Sequence, residues 1–141
     1  MMNIDGLSNG IVLDHIKAGK GMKIYELLGL DKLTCTVAII QNATSSKLGR
    51  KDIIKIDSII DLDLDVLGYV DSNVTIDIIR DGKVAEKQRC SLPERLTNVI
   101  RCHNPRCITT AEPSLPQEFR LVNRDQRIYR CCYCDTEYKE K

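Results

Sequence analysis

The sequence contains no tryptophan and only six other aromatic residues, five Tyr and one Phe. A core must therefore be assembled from Ile, Leu and Val, and aromatic platforms for stacking nucleic-acid bases are scarce. No apolar run approaches the roughly 18 residues of a membrane span, so no membrane partner is expected. Residues 1–10 lack a basic start followed by an apolar block, which predicts no signal peptide and, by default, a cytoplasmic protein. Catalytic signatures are also missing. There is no Walker A sequence and no Gly-x-Ser-x-Gly; Gly19-Lys20-Gly21 is a lone fragment that suits a loop at a helix entry. With two histidines in all, an enzyme is disfavoured. A net charge of +1 gives no reason to expect a nucleic-acid partner.

Cysteine, by contrast, is plentiful. Seven occur, five of them in the last forty residues. An odd number, clustered and without an export signal, points to thiols and metal rather than disulfides. Cys102 and Cys107 form one close pair and Cys131 and Cys134 another, with twenty-three residues between the pairs. Each pair presents two thiolates to one point, and the chain between them brings the turns together around a tetrahedral ion. The expected ligands of one structural Zn²⁺ are Cys102, Cys107, Cys131 and Cys134. Cys132 follows Cys131 directly and should point away, and His103 is a weaker candidate for the same reason. Four thiolates leave no open coordination position, so the ion is structural rather than catalytic. Cys35 and Cys90 read as small buried residues.

The order of predicted elements gives the fold class. A short strand at 9–16, a helix at 22–30, strands at 33–41 and 52–57, a helix at 62–70 and a strand at 74–79 form a β-α-β-β-α-β series. Arg80-Asp81-Gly82-Lys83 predicts a hairpin turn to an added strand at 84–90. Residues 42–51 read as a polar loop, and Asp61, Asp63 and Asp65 as a solvated face. The expectation is an α+β protein: a ferredoxin-like sandwich over residues 1–92, then a small antiparallel-β zinc domain over 96–141. A unit of about 45 residues buries too little surface alone, which is a physical reason for the metal. Residues 1–94 carry net −2 and residues 95–141 net +3. Arg101, Arg106 and Arg130 flank the cysteines and offset thiolate charge.

Asp14-His15, Lys55 and Lys87 fall on different strands of the predicted sheet. A carboxylate accepts hydrogen bonds from ribose hydroxyls, and imidazole and ammonium groups gather around phosphates. From spacing alone such residues are ordinarily solvated surface.

Several segments carry a more specific resemblance. They are Val12-Leu-Asp-His-Ile16, Gly49-Arg-Lys-Asp-Ile-Ile-Lys-Ile56, Ser91-Leu-Pro-Glu-Arg95 with Asn98-Val99, Cys102-x₄-Cys107-Ile108, Ala111-Glu-Pro113 and Cys131-x-Tyr-Cys134. In this order and at these intervals the chain resembles the regulatory chains of aspartate carbamoyltransferase, an enzyme of pyrimidine biosynthesis. The resemblance implies a non-catalytic subunit. Its N-terminal domain would bind CTP and ATP, with UTP assisting in some members, and its zinc domain would contact the catalytic chain. Two catalytic trimers would be joined by three regulatory dimers.

Carried over residue by residue, Asp14 would hold the ribose, His15 and Lys87 would face the phosphates, and Lys55 the base and ribose region. Lys51 falls near a second nucleotide's place. Ile4, Asp5, Gly6 and Leu7 would pass the base edge, and Ile53, Ile79 and Val84 would wall the pocket. Three positions depart from better-known members: Asp77 replaces Asn, Gly82 stands where an aromatic can line the base, and Asp5 replaces Glu. The alternative is a zinc-ribbon nucleic-acid-binding or transcription-related module with a ligand-sensing N-terminal domain.

Overall fold

Five segments of the first ninety residues, most of them rich in β-branched residues, pair as one antiparallel sheet in the computed structural model. The structure describes residues 7–47 and 49–139. Ile4, Asp5 and Gly6 lie outside the described residues. The chain divides into two compact units after Ser91.

The first unit runs β1 (Gly10–Lys17), α1 (Gly21–Leu27), β2 (Val37–Ser45), β3 (Gly49–Ile56), α2 (Leu64–Val70), β4 (Thr75–Arg80) and β5 (Lys83–Arg89). The strand order β2-β3-β1-β4-β5 is the ferredoxin-like arrangement with one added edge strand. One face is covered: Ile11, Leu13 and Ile16 of β1, Ile54 and Ile56 of β3, and Ile76 of β4 pack with Ile24 of α1 and Leu67 and Val70 of α2. The other face carries a smaller apolar patch of Leu7, Val12, Ile53 and Ile79.

The helices are shorter than the sequence predicts. α1 stops at Leu27, and Gly29 at φ 66° leads into a 3-10 turn at Leu30–Lys32 that buries Leu30. α2 begins late because the Asp63 carboxylate accepts the backbone N–H groups of Asp65 and Val66, at 3.1 and 3.2 Å. Asp63 is thus an N-cap rather than one of three equivalent solvated carboxylates.

Residues 42–45 and 49–51, read as loop, are strand. They pair as a ribbon, Ala43 with Lys51, Thr44 with Arg50 and Ser45 with Gly49. The largely exposed ribbon buries little and so shows no apolar alternation.

Two β-bulges flank a single step of β3. On one side Leu13 pairs with Ile54 and Ile16 with Asp52, so β1 advances three residues while β3 advances two. On the other, Ile40 pairs with Ile53 and Ala43 with Lys51, a matching surplus in β2. His15 and Asn42 take up the extra residue, both at φ 59°. Between the bulges, fully buried Asp52 fastens three backbone donors. Oδ2 accepts from Gly19 and Gly21 N–H at 3.1 and 2.9 Å, and Oδ1 from Asn42 N–H at 3.1 Å. Lys20, between those glycines, donates from Nζ to the Val70 carbonyl at 3.0 Å, near the C-terminus of α2.

β4 and β5 meet at the expected Asp-Gly hairpin. Asp81 (φ 51°) and Gly82 (φ 76°) are both left-handed, as a two-residue primed turn requires.

The second unit is a three-stranded antiparallel sheet, β6 (Arg95–Thr97), β7 (Glu118–Asn123) and β8 (Ile128–Cys131), with one helical turn α3 (Ile108–Ala111). Its buried side holds Leu96, Phe119, Tyr129 and Cys131. The Tyr129 hydroxyl donates to the Pro93 carbonyl, satisfying the buried phenol.

Candidate metal centre and open sheet face

Each cysteine pair sits on a turn locked by its own side chains. In the first, the Asn104 carboxamide oxygen accepts from Arg106 N–H at 3.0 Å and its backbone carbonyl from Cys107 N–H at 3.0 Å. In the second, Asp135 is left-handed at φ 64° and its N–H donates to the Cys131 carbonyl at 2.9 Å. The four Sγ atoms of Cys102, Cys107, Cys131 and Cys134 all lie within 4.8 Å of one another. Cys102 and Cys134 sulfurs are 3.6 Å apart, and those of Cys107 and Cys131 3.8 Å. Sulfurs about 2.3 Å from one tetrahedral ion stand about 3.8 Å apart, which these two pairs match, and the whole quartet is gathered closely enough to converge on one ion. Cys132 stands outside the quartet, and the His103 ring stacks on Tyr138 at 5.9 Å.

The surroundings of the quartet are polar where it matters. Thr109 Oγ1 donates to the Cys107 sulfur at 3.1 Å, and Gln117 Oε1 accepts from Cys102 N–H at 2.9 Å. Asn98, left-handed at φ 58°, holds Gln117 through an exchange of 2.7 and 2.8 Å hydrogen bonds. Burial pushes the Cys102 thiol up to about 12 and raises Cys131 as well. At Cys134 burial acts the same way, but hydrogen bonding to Thr136, Asn104 and Cys102 outweighs it and brings the thiol to about 6. A cation at the centre supplies what four adjacent thiolates need in order to ionise together. Around the second turn, Arg120 pairs with the Asp135 carboxylate and donates to the Cys131 carbonyl, and Arg130 donates to the Asp135 carbonyl at 2.8 Å. Arg130 is the flanking arginine read from sequence. Arg120, Thr109 and Gln117 are not marked by cysteine spacing, because only strand register and the turns bring them there.

On the first unit, β-pairing aligns a row across all five strands: Ala38, Lys55, Val12, Asp77 and Lys87 stand directly opposite one another. All share the face that the helices leave open. One step along, Asp14 pairs with Thr75, and Lys51 Nζ reaches Asp14 Oδ1 at 2.9 Å. The bulge turns His15 so that Nδ1 lies 3.0 Å from Thr75 Oγ1, and its backbone N–H donates to Asp14 Oδ1 at 2.6 Å. Leu7, Ile53 and Ile79 form the apolar floor with Val12, and Val84 pairs with Ile79 at the β5 edge. Asp14, His15, Lys51, Ile53, Lys55, Asp77, Ile79, Val84, Lys87 and Leu7 thus belong to one face. Thr75 and Val12 belong to it too, though neither carries a sequence signal.

Two carboxylates on this face are tuned oppositely. Burial works to raise the Asp14 carboxyl, but the Lys51 hydrogen bond, the His15 N–H and the nearby positive charges outweigh it and hold it below its ordinary value. At Asp77 burial, aided by Asp14, outweighs Lys87 and His15 and raises the carboxyl.

Residues 2–91 match the family described as aspartate carbamoyltransferase regulatory chain, allosteric domain, and residues 94–141 match its metal binding domain. The chain belongs to the aspartate carbamoyltransferase regulatory chain family. It is 51% identical over 138 residues to the regulatory chain of Clostridium botulinum, covering 98% of this chain and 94% of that one. To the regulatory chain of Clostridium acetobutylicum it is 48% identical over 139 residues, 99% and 95% of the two chains. That of Bifidobacterium longum is 48% identical over 138 residues, 98% and 99% of the two. As a member of this family the chain is a regulatory rather than a catalytic subunit, with an allosteric and a metal-binding domain. Among its described residues no helix is long and apolar enough to cross a membrane.

Proposed function

We propose that this chain regulates aspartate carbamoyltransferase by binding CTP and ATP on the open face of its first sheet, with UTP as a further ligand, and by docking its metal unit on the catalytic chain. The carrying observation is the aligned row Lys55–Val12–Asp77–Lys87 beside Asp14, His15 and Lys51, above an apolar floor. That arrangement offers cations for a triphosphate, a carboxylate for ribose hydroxyls and an apolar surface for a base. Asp14 takes the ribose, His15 and Lys87 the phosphates, Lys55 the base and ribose region, and Lys51 the edge nearest a second nucleotide. Ile4, Asp5 and Gly6, outside the described residues, are proposed to contact the base.

The metal is Zn²⁺, one per chain. Four sulfur donors within 4.8 Å of one another suit a soft, closed tetrahedral site with a structural role. Cys102, Cys107, Cys131 and Cys134 hold it, and it lets a unit of some fifty residues fold. The chain works as a regulatory dimer that joins catalytic trimers, in the cytoplasm.

A nucleotide shifts an equilibrium only through unequal affinity for two states. CTP and ATP carry the same triphosphate, so His15 and Lys87 bind both, and any opposite effects arise at the base end. The test is calorimetric titration of Lys87→Ala with each nucleotide. Both affinities should fall together, by about tenfold or more. Loss of one alone would refute this division of labour. Assay of the chain mixed with its own organism's catalytic chain, with and without CTP and ATP, tests the regulatory role itself.

A further inference from the structure

A carboxylate stands among the cations of the open face. Asp77 of β4 is directly opposite Val12 of β1 on one side and Lys87 of β5 on the other. The other charged groups on this face lie a step further off. β1 brings Asp14 and His15, β5 brings Arg89 opposite Thr75, and β3, beyond β1, brings Lys51 and Lys55. In strand order, partly buried Asp77 therefore lies between Lys87 and the group of His15, Lys51 and Lys55. Lys51 is held by Asp14 at 2.9 Å, which leaves Lys87 as the directly opposed cation. Opposed side chains on neighbouring strands start only about 5 Å apart. A ligand that draws the Lys87 ammonium onto a phosphate strips Asp77 of its counter-charge and sets a polyanion beside it. The cost of an ionised carboxylate there grows with every ligand charge. Burial, aided by Asp14, already holds the Asp77 carboxyl above its ordinary value.

We propose that Asp77 determines how strongly this face prefers polyphosphates: ionised, it penalises each ligand charge, and when a triphosphate binds it takes up a proton that lifts the penalty. The inference deepens the nucleotide-binding reading above and rests on it. The proton passes from a buffer acid to an Asp77 carboxylate oxygen, and nothing else is exchanged. The bound form holds this proton more tightly than the free form. Triphosphate affinity therefore falls as pH rises through the interval between the two, and levels off beyond it. A monophosphate carries roughly half the charge and feels less of this.

The test is calorimetry on the full chain with CTP, ATP and CMP, at pH about 4.5, about 5.5 and about 7.5, in two buffers of different ionisation enthalpy. His15 and the ligand's terminal phosphate also titrate, but they are common to wild type and Asp77→Asn, so the difference between the two proteins isolates Asp77. At the lowest pH the two should bind CTP within about twofold of each other. At the highest, Asp77→Asn should bind CTP and ATP about three- to tenfold tighter, and CMP less than about twofold tighter. At the middle pH wild type should take up about 0.3–0.5 proton more per triphosphate bound, the amount linked to an affinity change of that size. Asp77→Ser, also uncharged, should follow Asp77→Asn. An equal gain for CTP and CMP, or a gain independent of pH, overturns the inference and leaves the nucleotide site standing. Weaker CTP binding by both variants makes Asp77 a direct ligand contact and overturns it too. If wild type binds neither CTP nor ATP, the reading of the site falls and the inference with it.

Discussion

Asp52 accepts the backbone N–H of Gly21 at 2.9 Å, and a Cβ on that glycine would lie 2.8 Å from the same carboxylate oxygen. The first turn of α1 is therefore drawn onto β3 more closely than any side chain permits. Gly→Ala in a helix ordinarily stabilises by up to about 1 kcal/mol. Here the clash wins, and Gly21→Ala should destabilise by about 1–3 kcal/mol. Asp52→Ala, which strands three N–H groups, should cost about 3 kcal/mol or more. Urea unfolding followed by circular dichroism checks both; a stabilised Gly21→Ala protein would show that α1 is free to shift.

Lys51 and Asp14 predict an acid-side dependence. The folded Asp14 carboxyl is held below its ordinary value, so its contribution is present above pH about 4 and is lost as pH falls through the depressed folded value. Lys51→Met removes the partner and leaves burial unopposed. Wild type should exceed this variant by up to about 1 kcal/mol at neutral pH, with the gap closing near pH 2. An equal gap at both ends would mean that Lys51 acts through packing alone.

Asp77 carries the opposite sign. Its carboxyl is raised, so the folded state holds the proton more tightly and stability declines as pH rises above the ordinary carboxylate range. Asp77→Asn should flatten that decline. It also removes a negative charge beside Lys87, and should tighten CTP and ATP by about three- to tenfold. Calorimetry that found weaker binding would instead make Asp77 a direct nucleotide contact.

The two neighbouring cysteines of the second turn separate metal ligation from proximity. Cys131→Ser should abolish stoichiometric zinc and unfold the metal unit, seen as loss of its near-ultraviolet tyrosine signal. Cys132→Ser should keep one zinc per chain and the folded signal. CTP binding should survive in both. Equal zinc content in the two variants would exclude the quartet as the ligand set.

Much of this was readable before folding. Four cysteines in two close pairs announce a metal because thiolate spacing is itself local chemistry. The Asp81-Gly82 turn and the β-α-β-β-α-β series follow from residue preference and period. The open-face row was less accessible. Lys55, Asp77 and Lys87 align only through register, and register depends on two bulges that no residue type marks. His15 and Asn42 are ordinary residues in a left-handed conformation. One trace was present: the β1 residues in the helix-covered core fall at 11, 13 and 16 rather than 11, 13 and 15. The outer ribbon, residues 42–45 and 49–51, leaves no trace in the residue pattern because it is largely exposed, and a strand without a buried side has no alternation. Arg120 and Arg130 likewise belong to separate strands until the sheet assembles.

The bulge at Asp14–His15 behaves as a frameshift in three dimensions. Removing His15 would exchange the two sides of everything beyond it in β1. Ile16 would leave the core, forfeiting about 1.5–3 kcal/mol of burial, and Lys17 would be turned inward toward Asp52. A loop absorbs a change of length; this position converts one into an inversion of faces. The turns should therefore tolerate insertions and deletions that the centre of the sheet would not.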